Sequence, residues 1–334
     1  MASTTVVLPF ALPPAELAPE LSRNLQAPAL AALLSRNSLL KKHSPAEDGR
    51  LLPHEAWLER ELGGLAAAVM QGFGLAPAQG YWFIVHPVHI QLARNHLVLA
   101  DSRRLLLDEA DARVLFDLAK PFFDELVWGD ANTWFMRADS WRDLDTASPD
   151  AAMGSNLADW MPEGATALAF KKLQNEIQML WHEHPVNEAR QYHGLAPVNS
   201  FWMWGGASVP ASQPASTHSI AVASWPAAGP AGAPPSWLAA LGPPGKQAAP
   251  GEAGTLVLPH LIPMGAGNDW GAWLGAMQQL EADWFAPLLA ALRDGSTGEL
   301  TLILTGREGW TEIRTSKSAL RKFWRAQNLK NLSQ

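Results

Sequence analysis

Cysteine is missing from all 334 residues, which removes disulfides, thiolate metal ligands and a cysteine nucleophile at once. The chain has no redox chemistry of its own. No apolar run approaches the roughly 20 residues of a bilayer-spanning helix. The opening MASTTVVLPFALPPAE carries no charged stretch followed by an apolar segment of signal length. The expected location is therefore cytoplasmic. Positive charge is scarce as well: 25 Lys and Arg against 32 Asp and Glu give a net charge of -7. Read along the sequence these cations are scattered, so neither nucleic acid nor a membrane is an expected partner. There is no Gly-x-Ser-x-Gly elbow, no Walker phosphate loop and no dinucleotide fingerprint, and no cofactor is expected.

What is present is apolar and aromatic. Hydrophobic residues make up 48% of the chain, enough for one large domain or two smaller ones. Tryptophan occurs 16 times, where average usage predicts about a quarter to a third of that number. Side chains of this size anchor a core or line a recognition surface, and packing is the default reading. Trp270, Trp273, Met277, Leu280, Trp284 and Leu288 follow helical spacing and read as a core stripe. Trp202 and Trp204 alternate in SFWMW and share one side of a strand.

The pattern predicts a strand at Val6–Phe10, a helix over Pro28–Ser38 with proline in its first turn, and a helix over residues 54–70. Strands are predicted at Tyr81–Ile90 and Asn95–Asp101, with helices over about 108–118 and 165–183. His184-Pro185 closes the second of these helices, because the residue before proline is pushed out of the helical region. Residues 207–254 are rich in Ala, Pro, Gly and Ser and read as a mobile loop region with short ordered pieces at 219–225 and 236–242. Beyond it, TLVLPHLI, a helix over about 269–293 and ELTLILTG give a β-α-β rhythm that favours a parallel sheet. The basic SKSALRKFWRAQNL reads as a terminal helix or tail.

HPVNEARQYHGLAPVNSFWMWGG, His184–Gly206, is the most informative stretch. It resembles the HPvN..R...G..PaN....G.G segment of the archaeal-type cofactor-independent phosphoglycerate mutases, of the alkaline phosphatase superfamily. That resemblance implies an α/β fold, a three-layer α/β/α sandwich of alkaline phosphatase type with an inserted α+β domain. It sets the core at residues 1–95 plus 196–330 and the insertion at 96–195. It also implies a two-metal phosphoryl-transfer centre, whose acids should recur at predictable places. The family's first strand ends in Asp-Gly, and here it reads VVLPFALPP. An Asp of the next family segment corresponds to Ala31. An Asp followed four residues later by His corresponds to Asp269 and Trp273, and a final Asp-His pair corresponds to Arg307 and Glu308. A two-metal centre needs about six or seven carboxylate and imidazole ligands, so the resemblance implies an erased site with no metal and no catalytic residues. The whole chain also resembles the RpfE-type regulatory proteins of proteobacteria, through Pro87–His89, NHLVLAD and NSFWMWGG.

Three functions stay open: a non-catalytic regulatory or ligand-binding descendant, an active mutase or phosphatase with unrecognised ligands, and a Trp-rich protein-interaction module. The last predicts an exposed aromatic patch larger than a few hundred Å². A small phosphorylated or carboxylate ligand would meet His184, Asn187, Arg190, Asn199, Trp202 and Trp204, where uncharged amides, a forked donor and stacking rings lie together. The competing reading is that Asn187 and Asn199 tie the motif's own backbone and Arg190 pairs with a local acid. His182 with His184, and His86 with His89 and His96, are two histidine groups for which structural roles outweigh metal ligation. Gly205-Gly206 reads as a tight turn, or as a place where backbone amides approach an anion.

Overall fold

The computed structural model describes residues 3–44, 49–210, 220–224, 234–243, 249–250 and 254–333. In chain order its strands are β1 (Ser3–Leu8), β2 (Leu39–His43), β3 (Gly80–Val88), β4 (Ile90–Ala93), β5 (His96–Leu99), β6 (Glu125–Trp128), β7 (Trp134–Arg137), β8 (Ser200–Val209), β9 (Ile220–Val222), β10 (Gly254–Val257), β11 (Glu299–Thr305) and β12 (Trp310–Ser316). The chain divides into two compact units, one of residues 1–57, 217–234 and 241–334, the other of 58–216 and 235–240.

The first unit is built on a six-stranded sheet in the order β2-β12-β11-β1-β10-β9. β1 lies parallel between β10 and β11, and β9 runs parallel to β10. Val6, Val7 and Leu8 are fully buried, as expected of a central parallel strand covered on both faces. The crossover from β10 to β11 passes through Trp270–Leu280, a π-helical turn at Glu281–Phe285 and Ala286–Asp294. Pro287 offers no N–H to the carbonyl of Asp283, and the helical ladder widens there to the π pattern. Of the stripe predicted from Trp270 to Leu288, Trp273, Met277, Leu280, Trp284 and Leu288 are buried, whereas Trp270 is only partly so. Glu281, itself buried, accepts hydrogen bonds from the N–H groups of Ala29 (2.6 Å) and Leu30 (3.1 Å). It thereby caps helix Pro28–Ser35 from a distant part of the sequence.

The second unit carries a four-stranded antiparallel sheet, β6-β7-β3-β8, and the hairpin β4-β5. One sheet face buries Phe83, Val85, Trp134, Met136, Phe201 and Met203 against helices Glu109–Ala119 and Ala167–His182. β3 pairs with β8 along its length, so both strands lie in this unit, whereas the sequence reading assigned them to the core that contains β1.

Several elements differ from expectation for identifiable reasons. The helix read over 54–70 is two helices, Pro53–Leu62 and Leu65–Gly72, broken where Gly63 (φ 71°) and Gly64 (φ 137°) leave helical space. Gly205-Gly206 is no turn: it lies within β8 opposite Phe83, where the register slips by one residue and Gly205 takes φ 64°. That is a β-bulge, and a side chain at Gly206 would come within 2.8 Å of the rings of Phe83 and Tyr81. The basic C-terminal segment is not a helix. Only the short turns Ala319–Arg321 and Lys330–Leu332 are regular, and Ala319, Leu329 and Leu332 anchor it by burial. Of the Ala/Pro/Gly-rich region, β8 takes 207–209, β9 and helix Ser236–Ala239 are the short ordered pieces, and most of the remainder lies outside the described residues. Among the described residues no helix is long and apolar enough to cross a membrane.

Candidate functional site

His184 to Gly206 is built from helix Pro185–Tyr192 and β8. His184 is the N-cap of that helix, and its Nδ1 accepts from the N–H of Val186 at 3.2 Å. Asn187 is 1% exposed and fully committed. Its Nδ2 donates to the carbonyls of Trp181 and Val198, and its Oδ1 accepts from the N–H of Val198, all at 2.8 Å. Arg190 is equally buried. It donates to the carbonyls of Ala196 (3.0 Å), Leu105 and Leu106, and reaches Asp111 at 3.7 Å. Asn199 pairs with Ile90 as a strand would, accepting from its N–H and donating to its carbonyl, both at 2.8 Å.

Trp202 and Trp204 do share a side of β8. Trp202 donates to the carbonyl of Ala147, and Trp204 to Nε2 of His86 at 2.9 Å while packing edge-on against Trp237. Nδ1 of His86 lies 2.6 Å from the carbonyl of Asn132. A carbonyl only accepts, so Nδ1 carries the proton and Nε2 is the acceptor. Burial pushes the pKa of His86 below its ordinary value, which keeps this neutral form. His89 binds the carbonyl of Pro197 and His96 binds Asn95, so the second histidine group does not converge. Asn187, Arg190, Asn199, Trp202 and Trp204 therefore have their polar side-chain atoms engaged by protein groups, and His184 is engaged through Nδ1, each at a different place in the second unit.

In the first unit, attention falls on the carboxyl ends of the parallel strands, where open α/β sheets hold their ligands. After β1 the chain turns through Phe10, which is 1% exposed and has φ 56°. A bulky aromatic in the left-handed region is a strained outlier, at a cost of about 1–3 kcal/mol. The surroundings hold it there. Its N–H reaches Oγ1 of Thr305 at 3.4 Å, Leu12 bonds to the carbonyl of Thr305, and the indole N–H of Trp273 donates to the Phe10 carbonyl at 2.8 Å. The ring packs against His54 at 5.8 Å and under the Arg307 guanidinium at 5.8 Å. Gly265 makes room for it, because a Cβ there would overlap the Phe10 side chain. Arg307 also donates to the carbonyl of Ala266 at 3.1 Å. Beside these groups is a cavity of about 200 Å³ lined by Phe10, Glu16, Asn268, Trp270, Arg307 and Glu308, among others.

Asp269 and Glu281 serve the backbone, and Asp283 a neighbouring side chain. Asp269 caps its helix by accepting from Ala272 N–H (2.9 Å), Asp283 accepts from Gln279 (2.7 Å), and Glu281 is the remote cap of helix Pro28–Ser35. His260 follows β10, faces Trp284, and is held by burial at a pKa of about 4. Among the described residues no three His, Asp or Glu side chains gather as a metal-ligand group. The donor set does not fit the two-metal centre that the resemblance implies. Sequence reasoning missed Phe10 and Gly265; the three prolines Pro9, Pro13 and Pro14 signal an irregular chain there, but a left-handed phenylalanine leaves no mark in the sequence.

By fold, this is an α/β protein of alkaline phosphatase type. The PH0037 protein from Pyrococcus horikoshii superposes on it with a TM-score of 0.51 at 11% identity, covering 94% of this chain and 87% of that one. The cofactor-independent phosphoglycerate mutase from Thermoplasma acidophilum gives 0.45 at 12% identity, with 99% and 94% covered. A 2,3-bisphosphoglycerate-independent phosphoglycerate mutase of Methanothrix thermoacetophila is 35% identical over 69 residues, which are 21% of this chain and 18% of the relative. That local match supports a relation to the cofactor-independent phosphoglycerate mutases, and the chain matches less than a fifth of that enzyme's length. No protein-family model matches.

Proposed function

We propose that this chain is a non-catalytic relative of the cofactor-independent phosphoglycerate mutases that acts, in the cytoplasm, as a regulatory or ligand-binding protein. One observation carries the reading. Phe10 ends the turn after the first strand, where the resemblance implies an acid, and Trp273 stands where it implies a histidine; the two are buried and hydrogen-bonded to each other. An aromatic side chain there both removes a ligand and fills its space. Arg307 adds positive charge where a family member would supply Asp, which opposes cation binding. A small phosphorylated or carboxylate ligand suits the cavity at Arg307 better than the 184–206 segment, where the donors of Asn187, Arg190, Asn199, Trp202 and Trp204 are already engaged. The Trp-rich interaction surface is not favoured, since Trp82, Trp134, Trp181, Trp202, Trp204 and Trp273 are fully buried.

The test is metal content by mass spectrometry on protein purified with manganese and zinc, paired with mutase and phosphatase assays. Near-zero occupancy and no turnover are expected. About two metals per chain with turnover would return the protein to the two-metal enzymes.

A further inference from the structure

The fold adds cations from a distant stretch to the basic C-terminal segment. Ser316–Gln334 contains Lys317, Arg321, Lys322, Arg325 and Lys330 and no Asp or Glu, in a chain whose net charge is -7. The segment lies against the end of helix Pro28–Ser35 and the turn that leads into β2. Ser35 Oγ holds both the N–H and the carbonyl of Asn328 at 3.0 Å, and Asn331 donates to the carbonyl of Leu34. Arg36 donates to the carbonyl of Leu320, Lys322 and Arg325 donate to that of Asn37, and Lys42 donates to that of Ser333. These contacts join two stretches nearly 300 residues apart into one basic corner. Their partners are carbonyls, which fix the side chains without neutralising them. Two acids are nearby: Asp294, whose carbonyl accepts from Lys317, and Glu312 on β12, which is engaged by Arg314 at 2.8 Å and His43 at 3.8 Å.

At this corner stand Phe323 and Trp324, 80% and 70% exposed, in an irregular stretch between Lys322 and Arg325. Most other tryptophans with described side chains are buried or partly so. Lys41 and Lys42 have a simpler role available, since lysines on an edge strand prevent pairing with other sheets, and β2 is an edge. That role does not account for an exposed aromatic pair flanked in sequence by Lys322 and Arg325.

We infer that this corner docks onto an anionic lipid surface, with Phe323 and Trp324 entering the headgroup region and Arg36, Lys42, Arg321, Lys322, Arg325 and Lys330 supplying the attraction. Two weak signals together, an apolar wedge and a cluster of 4–8 Lys and Arg, are what reversible membrane docking requires. The remaining surface is more acidic than the chain as a whole, so an anionic bilayer repels it and orients the protein corner first. Single-stranded nucleic acid fits less well. The two rings stand 80° apart, so consecutive bases cannot stack on both. Four of the cations also spend donors on carbonyls, which leaves their charge but reduces their capacity for individual phosphate contacts.

The experiment is co-sedimentation of the full chain with vesicles of phosphatidylcholine alone or with about 30 mol% phosphatidylserine. Binding is expected only with the anionic lipid, falling at least about fivefold as salt rises from about 50 to about 300 mM. Phe323→Ser with Trp324→Ser should reduce it about tenfold, since each removes apolar insertion. Arg321→Glu with Lys330→Glu changes two cations whose side chains make no hydrogen bond or ion pair among the described residues, and should reduce it as much. Both double variants should keep the thermal midpoint of the parent, which separates loss of docking from loss of folding. No binding to anionic vesicles, equal binding to neutral ones, or unchanged binding by both variants overturns the inference. So does binding of a single-stranded RNA oligomer, lost in the same variants, in place of vesicle binding.

Discussion

The 184–206 segment and the carboxyl edge around Phe10 are singled out by the same resemblance, yet their polar groups are used in opposite ways. In the first, amide, guanidinium and indole groups close on the protein itself: Asn187 alone makes three hydrogen bonds to two carbonyls and one N–H. In the second, aromatic and cationic side chains surround a cavity, and the chain holds a strained φ of 56° to do it. The contrast teaches that a recognisable motif can mark architecture. The place where chemistry would sit is read from which side chains now occupy it.

The largest expected effect breaks the architectural half. Asn187→Ala leaves the carbonyl and the N–H of Val198 unpaired in a site that is 1% exposed, and takes one donor from the Trp181 carbonyl, which keeps the backbone N–H of His184. Each stranded buried group costs about 1–3 kcal/mol, so a loss of about 2 kcal/mol or more is expected from urea denaturation. Asn187→Asp should be about as damaging, because a carboxylate accepts from Val198 but repels both carbonyls. If either variant is as stable as the parent, the motif is not the structural tie described above.

The next effect belongs to the carboxyl edge and is read with pH. Burial lowers His260 from 6.5 to about 4, and the unfolded chain therefore takes up the proton first as pH falls. The stability tied to neutral His260 is complete above about 6.5 and is lost as pH drops toward 4, by at most about 1.4 kcal/mol per pH unit. Burial moves His86 in the same direction. Comparing urea midpoints from neutral pH down to about 4.5, His260→Phe should flatten part of the slope. An unchanged slope would assign acid sensitivity elsewhere.

Much of the first unit was legible in the sequence because its signals are periodic and local. VVL announces a buried central strand, and the stripe from Trp273 to Leu288 follows the helical period and is buried as that period requires. What escaped depends on partners far away in sequence. Gly205-Gly206 looks like a turn until Phe83 is placed opposite it, and the bulge comes from that pairing. The helix read over 54–70 breaks at Gly63-Gly64, where a Cβ on Gly64 would lie only 2.7 Å from the Cβ of Ala207. The C-terminal segment already reads as basic, but Arg36 and Lys42 are added to its cations only by folding. For the candidate site, the competing reading that Asn187 and Asn199 tie backbone and Arg190 meets a local acid agrees with their partners, but the carbonyls of Leu105, Leu106 and Ala196 that claim Arg190, and Ile90 that claims Asn199, are visible only in the fold.

A smaller effect sharpens the carboxyl-edge half. Gly265→Ala places a methyl group where the Phe10 ring lies, and overpacking of this kind costs about 1–3 kcal/mol. In a Phe10→Gly background both the Cβ and the ring that it would meet are gone, so the added cost of Gly265→Ala should fall to a few tenths of a kcal/mol. A double-mutant cycle measures that coupling. Additive effects would mean that Gly265 is small for some reason other than the aromatic plug.

The smallest effect returns to the motif at its wetter end. Asn199 is partly buried, and its amide copies a strand partner for Ile90 through two bonds of 2.8 Å. Water can reach this site more easily than the one at Asn187, so Asn199→Ala should cost about 1 kcal/mol. The effect should be local: hydrogen exchange of the Ile90 amide, whose acceptor is the Asn199 side chain, should quicken while amides of β3 and β8 keep their protection. Loss of protection across both strands would instead make Asn199 a keystone of the whole sheet. The motif would then be one cooperative unit, and the graded difference between its buried and exposed ends would disappear.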